Sequence, residues 1–480
     1  MILPVVNSFI WVSIEKICVL GIQFVGTIIL ARLIGPNEFG MIGILSVFLS
    51  LANIFADSGM GGALVREQSI QRNDYHTLFI YNGLISIVAY VILFLLAPSI
   101  AKFYNISELC DILRTVGLSV IFTSLSVTQS IHLLRNLKFK VMAVCAISSS
   151  LLSTIIAVSM AYFQMGVWAL VAQTVIYSIS YSLLLFIAVR YIPQLIFDKS
   201  SFKRQFSYGI NILGANLINT VQTNLSTSIV GRLFPLSSTG FYTQAARLQG
   251  LPNNILTSII DKTIFPIISR QETLNLKVET AFSMAKYIYL FAFPLWGYCI
   301  IMSEPLVRLI LGEAWIESSW MFSLLCVAGP FYTIKTILRS VYKSTGDTKV
   351  ILRIDLIISI IGIGIMVFLG QISMRFLIFG VVTTSVISML LFIIDICFRY
   401  GYSLLSQLQS LFVTLSPTVV SSLLLYFVTQ HCTMLHNDFV RVLLMFIIYV
   451  LLCCCMYILF KNKEFITIYH KYVQSKRCKK

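Results

Sequence analysis

Apolar runs of about 20 residues recur along the chain, separated by short polar breaks, and each matches the length of helix that crosses a bilayer. Fourteen spans are predicted, at roughly 7–31, 40–64, 76–97, 110–131, 141–162, 166–189, 206–231, 240–265, 281–302, 317–338, 350–370, 376–398, 411–430 and 440–460. The connections are short: even "YIPQLIFDKSSFKR", Tyr191 to Arg204, is a modest gap. The pattern predicts an all-α polytopic membrane protein.

One polar break has an echo. A shift of 200 positions lays "TIILARLIGPNEFGM" (Thr27 to Met41) over "TSIVGRLFPLSSTGF" (Thr227 to Phe241), matching Thr27/Thr227, Ile29/Ile229, Arg32/Arg232, Leu33/Leu233 and Gly40/Gly240. The shift also aligns the end of the first span with the end of the seventh. It predicts two six-helix lobes, 1–200 and 201–400, followed by two further helices over 401–462 and a basic tail over 463–480. Because six is even, the lobes share one orientation, related by a pseudo-two-fold along the membrane normal.

Composition agrees: 58% of the 480 residues are hydrophobic and 11% charged, with a mean hydropathy of +0.89. The net charge of +16 would suggest nucleic acid in a soluble protein; here it reads as cytoplasmic loops facing anionic lipid. With the N-terminus cytoplasmic, 23 lysines and arginines fall on the cytoplasmic side, seven of them beyond residue 460, against seven on the other face. That asymmetry puts both termini in the cytoplasm. The opening "MILPVVNSFIW" lacks a basic signal-peptide start and reads as the beginning of a retained first helix. The eleven cysteines are scattered through apolar runs or clumped at Cys453, Cys454 and Cys455, without disulfide or zinc spacing, and read as small apolar residues.

"LARLIGPNEFGMIGI", "FADSGMGGALVR" (Phe55 to Arg66) and "GFYTQAARLQGLPNNILTSIIDKTIFPIISR" (Gly240 to Arg270) resemble the polysaccharide-transporter branch of the multidrug/oligosaccharidyl-lipid/polysaccharide exporter superfamily, the Wzx-type flippases. The resemblance runs over essentially the whole length. It implies a central cavity and movement of an undecaprenyl-diphosphate-linked oligosaccharide to the periplasmic leaflet of the bacterial inner membrane, for O-antigen, capsule or exopolysaccharide assembly. It also implies proton or sodium antiport or a response to membrane potential; a polysaccharide polymerase with its chain-length machinery is a further candidate partner. No cofactor, metal or nucleic acid is expected.

Ionisable groups at membrane depth are costly unless they face a polar path or one another. Lys16 lies sixteen residues before Arg32, roughly 24 Å along a helix, and its neighbour Glu15 is turned away by about 100°. Arg247 is about 10 Å into the eighth span, and Lys262, beside Asp261, is near its other end. Where the resemblance places spans 1, 2, 7 and 8 around the cavity, Lys16, Arg247 and Lys262 become cationic contacts for a diphosphate, which needs counter-charge in low dielectric. Lys262 has two other readings, pairing with Asp261 or snorkelling. Asp57, about 14 Å from the cytoplasmic boundary, is the candidate for ion coupling or a structural pair. Asn211, Asn216, Asn219, Gln222 and Thr223 in the seventh span suit sugar hydroxyls or helix–helix hydrogen bonds equally.

Arg32 and Arg232 read as interfacial anchors, Asp395 and Arg399 as a helical i,i+4 ion pair, and the five histidines as dispersed polar residues. Pro252, Pro294 and Pro330 are expected to kink their helices, and Gly59, Gly61 and Gly62 to permit bending. Two other transporters of the superfamily compete with the flippase reading: a lipid II flippase and a drug or metabolite antiporter. An enzyme, such as a membrane polysaccharide polymerase, is disfavoured. Periplasmic gaps such as "YFQMG" (Tyr162 to Gly166) are too short for a catalytic loop, and there is no nucleophile–base pair, carboxylate pair or phosphate-binding glycine loop.

Overall fold

A computed structural model describes residues 2–57, 59–66, 71–191, 193–431, 438–460, 462 and 465–467. The chain opens with α1 (Ile2–Leu33), α2 (Pro36–Asp57), α3 (Met60–Arg66), α4 (Arg72–Tyr104), α5 (Leu109–Arg135), α6 (Phe139–Tyr162), α7 (Val167–Val189) and α8 (Lys199–Leu233). It continues with α9 (Leu236–Ile259), α10 (Phe265–Ser269), α11 (Leu274–Ile301), α12 (Ser303–Leu311), α13 (Ser318–Thr345), α14 (Thr348–Gly370), α15 (Met374–Tyr400), α16 (Leu404–His431) and α17 (Asp438–Leu459). Among the described residues there is no strand, as expected for a backbone that must satisfy its own hydrogen bonds in lipid.

Every predicted span falls on one rod, and fourteen helices reach 22 residues or more. Twelve are long and apolar enough to cross a membrane by composition; α8 and α9 are long enough but too polar to qualify. The protein is an all-α polytopic membrane protein. Two rods are interrupted. The span expected over 40–64 stops at Asp57, passes Gly59 at φ +67°, and resumes as α3. The α9 rod, with Pro252 inside it, runs through a π turn at Ile260–Ile264 into α10.

Contacts divide the chain into two compact units, Met1–Gly240 and Phe241–Lys480. In the first, α5 packs between α4 and α7, α6 packs on α7, α1 lies on α6, and α2 is held by α4, α5 and α8. Its core joins Met41, Ile44 and Leu45 of α2 to Ala97 and Ala101 of α4 and Leu109 and Leu113 of α5. In the second, α13 is central, packed on α11 and α15, and its core joins Ile260, Ile264 and Ile268 to Tyr289, Phe293, Ile337, Val341 and Phe392. The last two long helices dock on α11 through Tyr298, Leu425 and Tyr449, where the Tyr298 hydroxyl donates to the Val442 carbonyl at 2.6 Å. The lobe limits at 200 and 400 rest on the repeat, whereas the contacts group α8 with the helices before it.

The repeated break is a repeated corner. α1 ends at Leu33 and α2 starts at Pro36; α8 ends at Leu233 and α9 starts at Leu236, the same positions shifted by 200. Within the first unit the two corners touch. A Cβ on Gly40 would sit 2.3 Å from the Leu236 carbonyl oxygen, and one on Gly240 would sit 1.8 Å from the Pro36 carbonyl oxygen. Each glycine therefore accommodates the first carbonyl of the other corner's second helix, an approach that any side chain would prevent.

Candidate functional site

Unbranched polar residues explain why α8 and α9 are unlike the other rods. The α8 sequence "NILGANLINTVQTN" places amides where neighbouring helices carry leucine and isoleucine, and a backbone already satisfied by its own helix tolerates them. The start of α8 is well fixed. Asp198 caps it, accepting from the Ser200 and Ser201 amides at 3.3 and 3.0 Å and from both hydroxyls at 2.6 Å, which holds its carboxyl far below the usual carboxylate range. One turn in, Arg204 pairs at 2.7 Å with the fully buried Asp74 of α4.

Further along α8, Asn216 is exposed and Gln222 half-buried. Thr223 donates to the Thr220 carbonyl at 3.2 Å, and Asn224 bonds that carbonyl and the Thr223 hydroxyl, so this polar pair is partly turned on its own helix. The side chains of Asn211 and Asn219 lie outside the described residues, as does that of Asp57, whose backbone ends α2 beside the Gly59 break.

Of the three candidate cations, Lys16 is exposed on α1 while Glu15 beside it is half-buried, as their rotation predicts. Arg247 and Lys262 are both exposed, on α9 and in the π turn. They are fifteen residues apart, roughly 22 Å along a helix, so they form two cationic stations and not one cluster. Asp261 does not pair with Lys262: its carboxylate takes Lys343 of α13 at 3.0 Å. Adjacent residues on a helix point about 100° apart and do not face each other, so Asp261 turns to α13 and not to the cation next to it.

Other expectations resolve cleanly. Asp395 and Arg399 form their i,i+4 pair at 2.7 Å, and the Tyr342 hydroxyl donates to the same carboxylate at 2.5 Å. Arg232 lies 5.0 Å over the ring of Phe103, which suits an anchor at a membrane boundary.

Two clusters escape a linear reading. In the first unit, Tyr191 is stacked between His76 and His132, with ring centroids 5.8 and 5.5 Å away; the Gln194 amide donates to His76 Nδ1 at 2.8 Å. Burial pushes the Tyr191 hydroxyl up. These histidines, 56 residues apart in sequence, lock the connection that leads into α8. In the second unit, Asp355 of α14 is bracketed by Lys335 at 3.5 Å and Arg339 at 3.0 Å, both from α13. The signal for this cluster was the i,i+4 spacing of the two cations.

A cavity of 510 Å³ between α11, α13 and α16 is bounded by Trp296, Ile300, Phe331, Val419 and Tyr426. It has no charged wall, so it cannot be the place for a diphosphate. Among the described residues no three His, Cys, Asp or Glu side chains are grouped to hold a metal.

The profile of a family described as "Polysaccharide biosynthesis protein" matches residues 29–320. The chain is 25% identical over 341 residues to the lipopolysaccharide biosynthesis protein WzxC of Escherichia coli, covering 70% of this chain and 68% of that one. It is 24% identical over 350 residues to the succinoglycan biosynthesis transport protein ExoT of Rhizobium meliloti, covering 71% and 69%. In fold it is similar to the lipid II flippase MurJ in an inward closed conformation: TM-score 0.75, 15% identity, 97% of this chain and 100% of that one. By name ExoT is a transport protein and MurJ a flippase, in line with the reading that the chain is not an enzyme. The chain belongs to the polysaccharide biosynthesis protein family.

Proposed function

We propose that this protein is a flippase that carries an undecaprenyl-diphosphate-linked oligosaccharide from the cytoplasmic to the periplasmic leaflet of a bacterial inner membrane, supplying O-antigen, capsule or exopolysaccharide assembly. All fourteen long helices cross the bilayer, both termini are cytoplasmic, and the two six-helix lobes alternate access to the site.

The observation that carries the reading is the pair α8 and α9. Among the described residues the other twelve long helices are apolar enough for lipid; these two carry exposed Asn216 and Arg247, and the π turn that follows α9 carries exposed Lys262. Polar groups at membrane depth belong on a water-filled path. Amides and cations together match the two halves of the cargo: amides hydrogen-bond sugar hydroxyls, and guanidinium and ammonium groups neutralise a diphosphate. The names of WzxC and ExoT, in lipopolysaccharide and succinoglycan biosynthesis, support a saccharide cargo. Coupling to protons or sodium is assigned to Asp57, because interrupted helices supply ion sites in transporters and α2 ends at this residue.

The test is transport of a fluorescent polyprenyl-diphosphate-linked oligosaccharide by the full chain in proteoliposomes. Arg247→Ala should lower the rate by about tenfold or more, the loss expected when a charge-assisted contact is removed, with unchanged insertion. Full transport by Arg247→Ala would remove the arginine from the path. Failure of the unmodified protein to move this cargo would overturn the function itself.

A further inference from the structure

The second unit contains a run of cations that the function above does not use. Lys335, Arg339 and Lys343 stand at i, i+4 and i+8 on α13, hence on one face, about 6 Å apart along the axis. Their side chains open progressively toward the end at Thr345: 12%, 26% and 39% exposed. On the orientation read from the charge count, that end is cytoplasmic.

Among the described residues, two carboxylates attend these three cations. Asp355 takes Lys335 and Arg339, and Asp261 of the π turn takes Lys343. One positive charge is left over. A purely structural ion pair in low dielectric gains from matched charge, and an excess cation adds a cost that packing alone does not offset. Charged side chains are costly on a lipid-facing surface, so the exposed rungs belong on a polar path. Two neighbours point the same way. Lys277 reaches the Ser344 carbonyl at 3.0 Å, bringing a fourth cation to the open end, and the π turn that supplies Asp261 is a helix irregularity found often at functional sites.

We propose that the Lys335–Arg339–Lys343 face of α13 is a binding ladder for the phosphoryl groups of the lipid carrier, with Asp355 and Asp261 occupying the cations until a diphosphate displaces them. This rests on the flippase reading and adds to it a second anion route, separate from Arg247. The carboxylates serve two purposes: they neutralise the cations in the empty protein, and they weaken anion binding enough for release. An anion entering at Lys343 meets the most exposed rung first and the most buried last, each step being shorter than the span of a diphosphate with its hydrogen-bonding shell.

The ladder predicts opposite effects from opposite substitutions. The full-length protein in phosphatidylcholine nanodiscs is titrated with geranylgeranyl diphosphate, and binding is read by native mass spectrometry. Arg339→Gln and Lys343→Gln should each weaken binding by about tenfold, and Asp355→Asn should tighten it by a similar factor because two cations are released. If the network is only structural, Asp355→Asn lowers thermal stability and leaves affinity unchanged, which overturns the ladder. Should Asp355→Asn fail to fold, Lys343→Gln decides alone, since it breaks a pair that is more than a third exposed; unchanged affinity there also overturns the proposal.

Geranylgeraniol, inorganic pyrophosphate and phosphatidylglycerol are the competing arms. Competition by pyrophosphate with none by geranylgeraniol supports phosphoryl recognition. Equal competition by phosphatidylglycerol means that any anionic headgroup is held there, and it overturns assignment to the carrier. If the unmodified protein binds the diphosphate lipid and the ladder variants match it, the ladder fails while the flippase reading stands. If the unmodified protein binds no diphosphate lipid, both fail.

Discussion

The α1–α2 corner and the α8–α9 corner have the same backbone and different chemistry. Their helix ends coincide after a shift of 200, and each has a glycine against the other's first carbonyl. Yet α1 and α2 are apolar enough for lipid, whereas α8 and α9 are not. Duplicated geometry with divergent surface composition separates two demands on one motif. The glycines and helix ends set how closely chains approach, and the side chains along the second pair set what the path can bind.

The most severe way to break the comparison is to add one methyl group at the crossing. At Gly240 the new Cβ would lie 1.8 Å from a carbonyl oxygen that belongs to backbone and cannot rotate away. Gly240→Ala should cost about 3 kcal/mol or more, the upper end for overpacking, and should reduce the folded protein recovered from membranes. Gly40→Ala, with its Cβ at 2.3 Å, should be the milder of the two. Thermal unfolding of both proteins in detergent checks the order; equal stability to the unmodified protein would mean that the corners move apart freely.

A smaller effect should appear in function and not in folding. Asn216→Leu on α8 lowers the polarity of the second copy, at an exposed position where no core packing is at stake. Transport of the lipid-linked oligosaccharide should fall by up to about tenfold, the range for losing one hydrogen-bonding partner, while thermal stability stays level. A polar change in the first copy, Ile17→Asn at an exposed position of α1, should leave the rate near its starting value and reduce insertion. If both substitutions acted alike, the two copies would line the path equally.

The rods were legible because a bilayer imposes one length and one polarity on a spanning helix; hence every predicted span but the interrupted 40–64 and 240–265 lies on a single long helix, with ends displaced by several residues, as in 206–231 against Lys199–Leu233. The corner was legible because glycine and arginine recur at a fixed shift. The carbonyl contacts beneath the glycines were not, since a backbone acceptor has no residue type. Partnerships were harder still. Asp355 meets Lys335 and Arg339 through the register of α13 against α14, and Tyr191 meets His76 and His132 through three separate elements. Asp261 stands beside Lys262 in sequence, but adjacent residues on a helix do not face each other, and its carboxylate meets α13 instead. Local spacing predicts pairs within one helix, as at Asp395 and Arg399, and fails wherever register decides.

The least perturbing test concerns Arg232, the residue that shares a position in the corner with Arg32. Its guanidinium over Phe103 ties the end of α8 to α4 inside the first unit. A cation–π contact at an exposed site is worth about 0.5–1 kcal/mol, and an anchor that only seeks the headgroup layer would have no coupling to that ring. Arg232→Ala, Phe103→Leu and the double substitution form a cycle whose interaction energy separates these roles. A coupling in that range makes the second corner's arginine a clasp between helices; a coupling of zero makes it an anchor alone, and the two corners then differ only along their helices.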